Sequence, residues 1–273
     1  MGAHMDTPSM REKRLRSLLA IPLALLVASL SLLVVRTLDP VPAEADTILD
    51  LLFPTTTVPP TTTTTAPKPR PHVPVSTLMA TPKGEIDVYN GPNGMVAGKA
   101  GRWYGYALTM PVVEQWQGWV RIMLPERPNG KTGWVHREDV NFSRNPYRIV
   151  IRLADTKLIV YKDGFPILVA PVGVGKDSTP TPRGRFFVGV IEKPGAHGYG
   201  PIVLNTTGHS EAIQSWKGSG DAITAIHGPI SRQSDAQIGT TGTRISNGCI
   251  RMHERDQIRL DVIPLGTIVD VNA

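Results

Sequence analysis

The sequence predicts an all-β fold, with two β units of unequal size following a non-globular N-terminal stretch. Three observations carry this. From about residue 75 onward, short apolar runs alternate with turns rich in glycine, proline and asparagine. Only Glu254 to Leu260 has helical spacing. Much of the proline, 25 residues in all, lies in one tract that has almost nothing to bury.

Taken in order, Gly2-Ala3-His4-Met5 reads as a cloning remnant and is set aside from fold reasoning. Arg11, Lys13, Arg14 and Arg16 precede a largely apolar run from Ser17 to Val35 that carries no charge. As a helix this run would extend roughly 28 Å, close to a bilayer core. Residues 1–16 are therefore expected to be a cytoplasmic tail and 17–35 a single-pass anchor, with everything after Val35 exported. Ala43-Glu44-Ala45 resembles a small-x-small cleavage site, and cleavage there would leave the protein secreted. No cysteine follows the span, which excludes a lipoprotein anchor. Residues 36–74 are expected to be a linker whose Thr/Pro-rich part, 54–74, favours extended polyproline-like conformations of up to roughly 60 Å.

Residues 75–145 break into short strand candidates at Glu85–Tyr89, Val96–Ala100, Tyr104–Thr109, Trp119–Leu124 and Gly133–Val135. Asn90-Gly91-Pro92-Asn93-Gly94 and Pro128-Asn129-Gly130 supply turns. A segment of this length, with Trp103, Trp116, Trp119 and Trp134 for its core, suits a small β-barrel. Gly133-Trp134-Val135-His136 with Asp139-Val140 resembles the closing segment of bacterial SH3-like domains.

Residues 146–273 carry strand candidates at Tyr147–Arg152, Lys157–Lys162, Phe165–Val172, Gly184–Val190, Pro201–Asn205, Ile223–Ile226 and Thr267–Val271. Asp163-Gly164 is a hairpin turn among them. The net charge of +6 is spread along the chain without a run dense enough to require nucleic acid. The histidines are scattered and no carboxylate–histidine cluster has ligand spacing, so neither metal nor other cofactor is expected.

Cys249 is the one cysteine in the chain, so it has no intrachain disulfide partner. Its neighbours suit a nucleophile. Gly248 permits a tight turn that exposes the thiol, and the N–H groups of Gly248 and Cys249 can face a developing oxyanion. Arg244 and Arg251 bring positive charge that favours thiolate and can hold a substrate carboxylate. His227 ends an apolar strand and is followed by Gly228, whose carbonyl is free to accept from the imidazole N–H. His209 lies in a glycine- and serine-rich loop, as a ligand contact or as solvated surface. The stretch from Glu211 to Gly220, with Trp216 and Lys217, reads as a cover over the site or as a plain surface loop.

Ile226-His227-Gly228 followed by Ser246-Asn247-Gly248-Cys249-Ile250-Arg251-Met252 resembles the active-site motif of YkuD-type L,D-transpeptidases. Thr179-Pro180-Thr181-Pro182-Arg183-Gly184-Arg185-Phe186 resembles the TPxGxF strand of that family. His197-Gly198-Tyr199-Gly200-Pro201 falls where the family has a Gly/Pro-rich stretch before its substrate lid. The resemblance covers roughly residues 146–271. It implies an L,D-transpeptidase-like β-sandwich with a short helix, beside the smaller SH3-like β-barrel. It also implies a cysteine acyltransferase that forms 3→3 peptidoglycan cross-links on tetrapeptide stems with release of D-alanine. In that reading Cys249 is the nucleophile, His227 its base and Gly228 the orienting carbonyl. Ser246, Asn247, Arg251, Arg244, His209, Tyr199 and Trp216 contact substrate or brace the site. The donor stem and the acceptor amine are the partners, and carbapenems are covalent inhibitors. The family often has histidine where this chain has Asn247. Two other readings are an L,D-carboxypeptidase or other cysteine peptidase of the cell wall, and a non-catalytic wall-binding protein with Cys249 as buried core.

Overall fold

Charged residues at both ends of apolar runs set the first two strands of the C-terminal half, at the residues expected. In the computed structural model, which describes residues 69–194, 198–240 and 242–273, they are Tyr147–Arg152 and Lys157–Lys162, paired antiparallel. The Asp163-Gly164 turn that follows has both residues at positive φ, 51° and 81°. That is the backbone of a two-residue hairpin matched to strand twist.

The described residues fall within one compact unit, Pro67–Ala273, with eighteen strands and two short helices. Its first part holds β1 (Thr77–Pro82), β2 (Ile86–Tyr89), β3 (Val96–Ala100), β4 (Arg102–Trp103), β5 (Tyr106–Ala107), β6 (Met110–Trp116), β7 (Trp119–Met123), β8 (Thr132–His136) and β9 (Val140–Asn145). The second part holds β10 (Tyr147–Arg152), β11 (Lys157–Lys162), β12 (Phe165–Gly175), β13 (Gly184–Glu192), β14 (Val203–His209) and β15 (Ile223–His227). It continues with α1 (Arg232–Gln237), β16 (Arg244–Ser246), β17 (Ile250–Met252), α2 (Glu254–Gln257) and β18 (Ile268–Asn272).

Seven strands of the first part form a sheet in the order β3-β2-β8-β7-β6-β1-β9, and β4 and β5 pair separately as a small hairpin. No pairing joins β3 to β9 among the described residues, so the SH3-like barrel expected for 75–145 is not evident. The second part does close. The order β11-β10-β18-β13-β14-β15-β17-β12, with β12 pairing back to β11, is a closed barrel, and β16 adds to the far side of β12. The expected sandwich is thereby corrected to a barrel. Its closure depends on the C-terminal strand β18, which lies parallel to β10 and antiparallel to β13.

Strand alternation divides the side chains between two cores. Phe186, Val188 and Val269 point into the barrel with Ile149, Leu204, Ile226 and Met252. Their neighbours Phe187 and Ile268 point the other way and join Met110, Val120, Ile122 and Val135 of the seven-stranded sheet. Burying a side chain such as Phe187 contributes about 1.5–3 kcal/mol. A buried hydrogen bond from Asn145 Nδ2 to Thr267 Oγ1, 2.9 Å, joins the same two layers.

Helix occurs at the expected place after the cysteine, with α2 continuing as a 3-10 turn at Ile258–Val262. A second helix, α1, has no apolar periodicity to predict it. It is held by a capping box between Ser231 and Ser234.

The expectation of a single-pass membrane anchor at 17–35, and the membrane localisation built on it, is corrected. Among the described residues no helix is long and apolar enough to cross a membrane. The run 17–35 itself, the tail 1–16, the linker up to residue 68 and His197 lie outside the described residues.

Candidate active site

Two neighbouring parallel strands bring the candidate nucleophile and base together. β15 ends at His227 and pairs with β17, His227 lying opposite Arg251 and Ile226 opposite Ile250. Cys249 immediately precedes β17, at the end of the turn from Ser246. His227, Cys249, Arg251, Ser246, Asn247, Tyr199 and Trp216 all line one cleft, together with Ile213 and Ile223.

The cysteine turn is built by hydroxyls. Gly248 sits at φ 118°, where an L side chain is strained. The Ser246 hydroxyl donates to the Cys249 carbonyl at 2.5 Å and accepts the Gly248 N–H at 3.1 Å. Thr181, buried, donates to the Gly248 carbonyl at 2.9 Å and accepts the Gly175 N–H at 2.9 Å. The Thr-Pro segment before β13 therefore braces the cysteine turn from behind. Thr179 adds a longer contact to the Ser246 carbonyl, 3.4 Å.

His227 is 3% exposed. Its Nδ1 lies 2.7 Å from the Gly228 carbonyl. A carbonyl only accepts, so Nδ1 carries the proton and Nε2 keeps its lone pair. The Tyr199 ring meets the imidazole edge to face at 4.8 Å. Gly228 is required for close approach: a Cβ there would come within 2.6 Å of Gln257 Oε1 and 3.2 Å of the Tyr199 carbonyl. Gln257, fully buried, donates Nε2 to the carbonyls of Tyr199, at 2.8 Å, and Ile202. It thereby holds the segment that carries Tyr199 over the histidine.

Burial dominates the electrostatics. It pushes His227 down from 6.5 to about 4; the bond to Gly228 opposes this and the Arg251 charge adds to it. Burial also pushes the Cys249 thiol up, against smaller opposing effects of the Ala225 backbone and the Arg251 guanidinium. The pair at rest near neutrality is therefore thiol and neutral imidazole. Positive charge nearby does not prevail over burial as the sequence alone suggested. Burial likewise lowers Arg251, whose Nε is buried without a hydrogen-bond partner among the described residues.

Not every expected residue reaches the cleft. Arg244 is directed at Asp177, with Nε 3.4 Å from Oδ1, and does not line it. His209 is 1% exposed, its ring between the Pro125 carbonyl, 2.6 Å from Nε2, and Asp221 Oδ2, 2.8 Å from Nδ1. It joins the seven-stranded sheet to the barrel. Asn129 Oδ1 accepts the His209 N–H and Asn129 Nδ2 donates to the His209 carbonyl, at 2.8 and 2.9 Å. Arg127 reaches Asp221 Oδ1 at 3.0 Å and the Ser210 carbonyl at 2.9 Å. These contacts fix both ends of the β14–β15 loop, whose Ile213 and Trp216 wall the cleft. Thr181, Gln257 and Arg127 were not singled out from the sequence. Thr181 belongs to a quoted motif, but no local pattern marks the other two.

Residues 146–271 match the YkuD family, described as an L,D-transpeptidase catalytic domain. The YkuD protein of Bacillus licheniformis is 33% identical over 127 residues, covering 46% of this chain and 66% of that protein. The YkuD protein of Bacillus subtilis is 28% identical over 128 residues, with the same coverage of 46% and 66%. The chain thus spans 66% of the length of these curated relatives. Among solved structures, an Enterococcus faecium L,D-transpeptidase is 25% identical, with 46% of this chain and 49% of that chain covered and a TM-score of 0.36. One from Mycobacterium smegmatis is 17% identical, with 57% and 90% covered and a TM-score of 0.36. Residues 146–271 of this chain are thus similar over their whole length to a YkuD-type L,D-transpeptidase catalytic domain.

Proposed function

We propose that the protein is a peptidoglycan L,D-transpeptidase that forms 3→3 cross-links through a Cys249 thioester. The observation that carries the reading is the pairing of His227 and Cys249 in one cleft, with the imidazole tautomer fixed by Gly228. The Nε2 lone pair takes the thiol proton as sulfur attacks the carbonyl of the third stem residue, a meso-diaminopimelate. A proton must be lost in this step because burial keeps the resting thiol neutral. The tetrahedral oxyanion meets the Cys249 N–H; the Gly248 N–H of the same turn is already engaged by Ser246. His227 then returns its proton to the departing D-alanine amine, leaving the thioester. The side-chain amine of a second stem attacks the thioester, its proton passes to the His227–Cys249 pair, and the thiol is restored.

Arg251 lines the cleft with an Nε that has no hydrogen-bond partner among the described residues, and is the group suited to a substrate carboxylate. Ser246 and Thr181 hold the turn. Asn247 and Tyr199, on the cleft wall, contact the stem. Carbapenems would acylate the same sulfur by ring opening.

Incubation with disaccharide-tetrapeptide followed by mass spectrometry tests the reading. The expected product is a cross-linked dimer that has lost one D-alanine, and it is absent with Cys249→Ala. Loss of D-alanine without dimer would make the enzyme an L,D-carboxypeptidase instead. An unchanged substrate would overturn both.

A further inference from the structure

Beside the cleft lies a second depression, lined by Tyr104, Tyr106, Glu192, Asn205, Trp216 and Ile223 among others. Trp216 and Ile223 belong to both depressions, so the two are continuous. Its outer wall comes from the seven-stranded part of the chain, through the β4–β5 hairpin. That hairpin is anchored on the barrel. The Trp103 ring lies over Gly189 so closely that a Cβ there would be 2.6 Å from a ring carbon. Tyr104 Oη donates to Asp221 Oδ2 at 3.4 Å, and Arg102 closes the hairpin through the Gly105 carbonyl at 2.7 Å.

The chemistry of the depression is specific. Three aromatic side chains remain open to solvent, Tyr104 at 53%, Tyr106 at 48% and Trp216 at 42%. Beneath them Asn205 donates to Glu192 at 3.0 Å, which leaves amide and carboxylate edges exposed at the floor. Aromatic faces beside a few fixed polar groups match a pyranose ring, which presents C–H bonds on its faces and hydroxyl or acetamido groups at its rim. The depression also adjoins the thiol: Ile223, on its wall, precedes Ala225 by two residues of one strand, and the Ala225 backbone neighbours Cys249.

We propose that this depression is a saccharide subsite for the glycan that carries the donor stem, with the β4–β5 hairpin supplying its stacking face. The proposal rests on the stem-peptide reading above. Binding of tetrapeptide with and without its disaccharide to full-length Cys249→Ala chain, measured by calorimetry, tests it. The disaccharide-bearing ligand should bind about tenfold more tightly. Adding Tyr104→Ala and Tyr106→Ala should abolish that difference while the bare peptide keeps its affinity. Equal affinities, or a difference that survives both tyrosine changes, would overturn the subsite. The same tyrosine changes in the chain that retains Cys249 should leave its acylation by a carbapenem unaltered. Failure of the wild type to acylate would instead strike the cysteine chemistry, and the affinity difference would still report on the subsite.

Discussion

The neutral buried imidazole of His227 has a consequence for folding that can be measured without any substrate. In the unfolded chain this ring titrates near 6.5, whereas in the folded protein it does so near 4. Above pH 6.5 both states hold the ring neutral and it adds no pH dependence. As pH falls through 6.5 toward 4, the unfolded chain takes up a proton that the folded chain refuses, so stability is lost across that window. At about 1.4 kcal/mol for each tenfold difference in proton affinity, the loss reaches roughly 3 kcal/mol by pH 4. His227→Gln keeps a polar group of similar reach and removes the titration. Urea unfolding of both proteins, from about pH 7.5 down to about pH 4.5, isolates the effect because other titrating groups are common to both. The wild type should lose roughly 2–3 kcal/mol relative to the variant over that range. Curves that fall in parallel would mean the ring is hydrated or already charged in the folded state, and the thiol–imidazole resting pair would be wrong.

Three further outcomes follow from the same geometry. Thr181→Val strips both the Gly248 carbonyl and the Gly175 N–H of their buried partner. It should destabilise by about 1–3 kcal/mol and slow Cys249 acylation, read by urea unfolding and by carbapenem mass shift. Gly228→Ala pushes a methyl against Gln257 Oε1. The predicted cost is about 1–3 kcal/mol with loss of acylation, and a variant of unchanged stability would contradict the crowding. Iodoacetamide labelling of Cys249 should still be rising at pH 9, where an unperturbed thiol is half ionised. A plateau by about pH 7 would instead indicate a resting thiolate.

How much of this was legible in the sequence depends on how local the determinants are. β10 and β11 coincide with their expected limits because charged residues bracket each apolar run and Asp163-Gly164 fixes the turn. β1, β6 and β9 are less visible: β1 ends in proline, β6 holds Pro111, and β9 exposes half of its side chains without regular alternation. The Ser246–Arg251 turn and the His227-Gly228 pair were readable because each is contiguous. Thr181 meets Gly248 across 67 residues and Gln257 meets Tyr199 across 58, contacts set by barrel closure rather than by local pattern. Arg244 appeared to belong beside the thiol by proximity in the chain, but Asp177 draws its guanidinium away. His209 illustrates the opposite difficulty. A loop-like composition hid a buried ring between two acceptors, the Pro125 carbonyl from the β7–β8 connection and Asp221 from the β14–β15 loop.

The most direct measurement of the central claim is intact-mass analysis of the wild type and Cys249→Ala after exposure to a carbapenem. The account predicts one adduct equal to the mass of the drug on the wild type, mapped to Cys249, and none on the variant. An unmodified wild type, or an adduct that persists after Cys249→Ala, would contradict it.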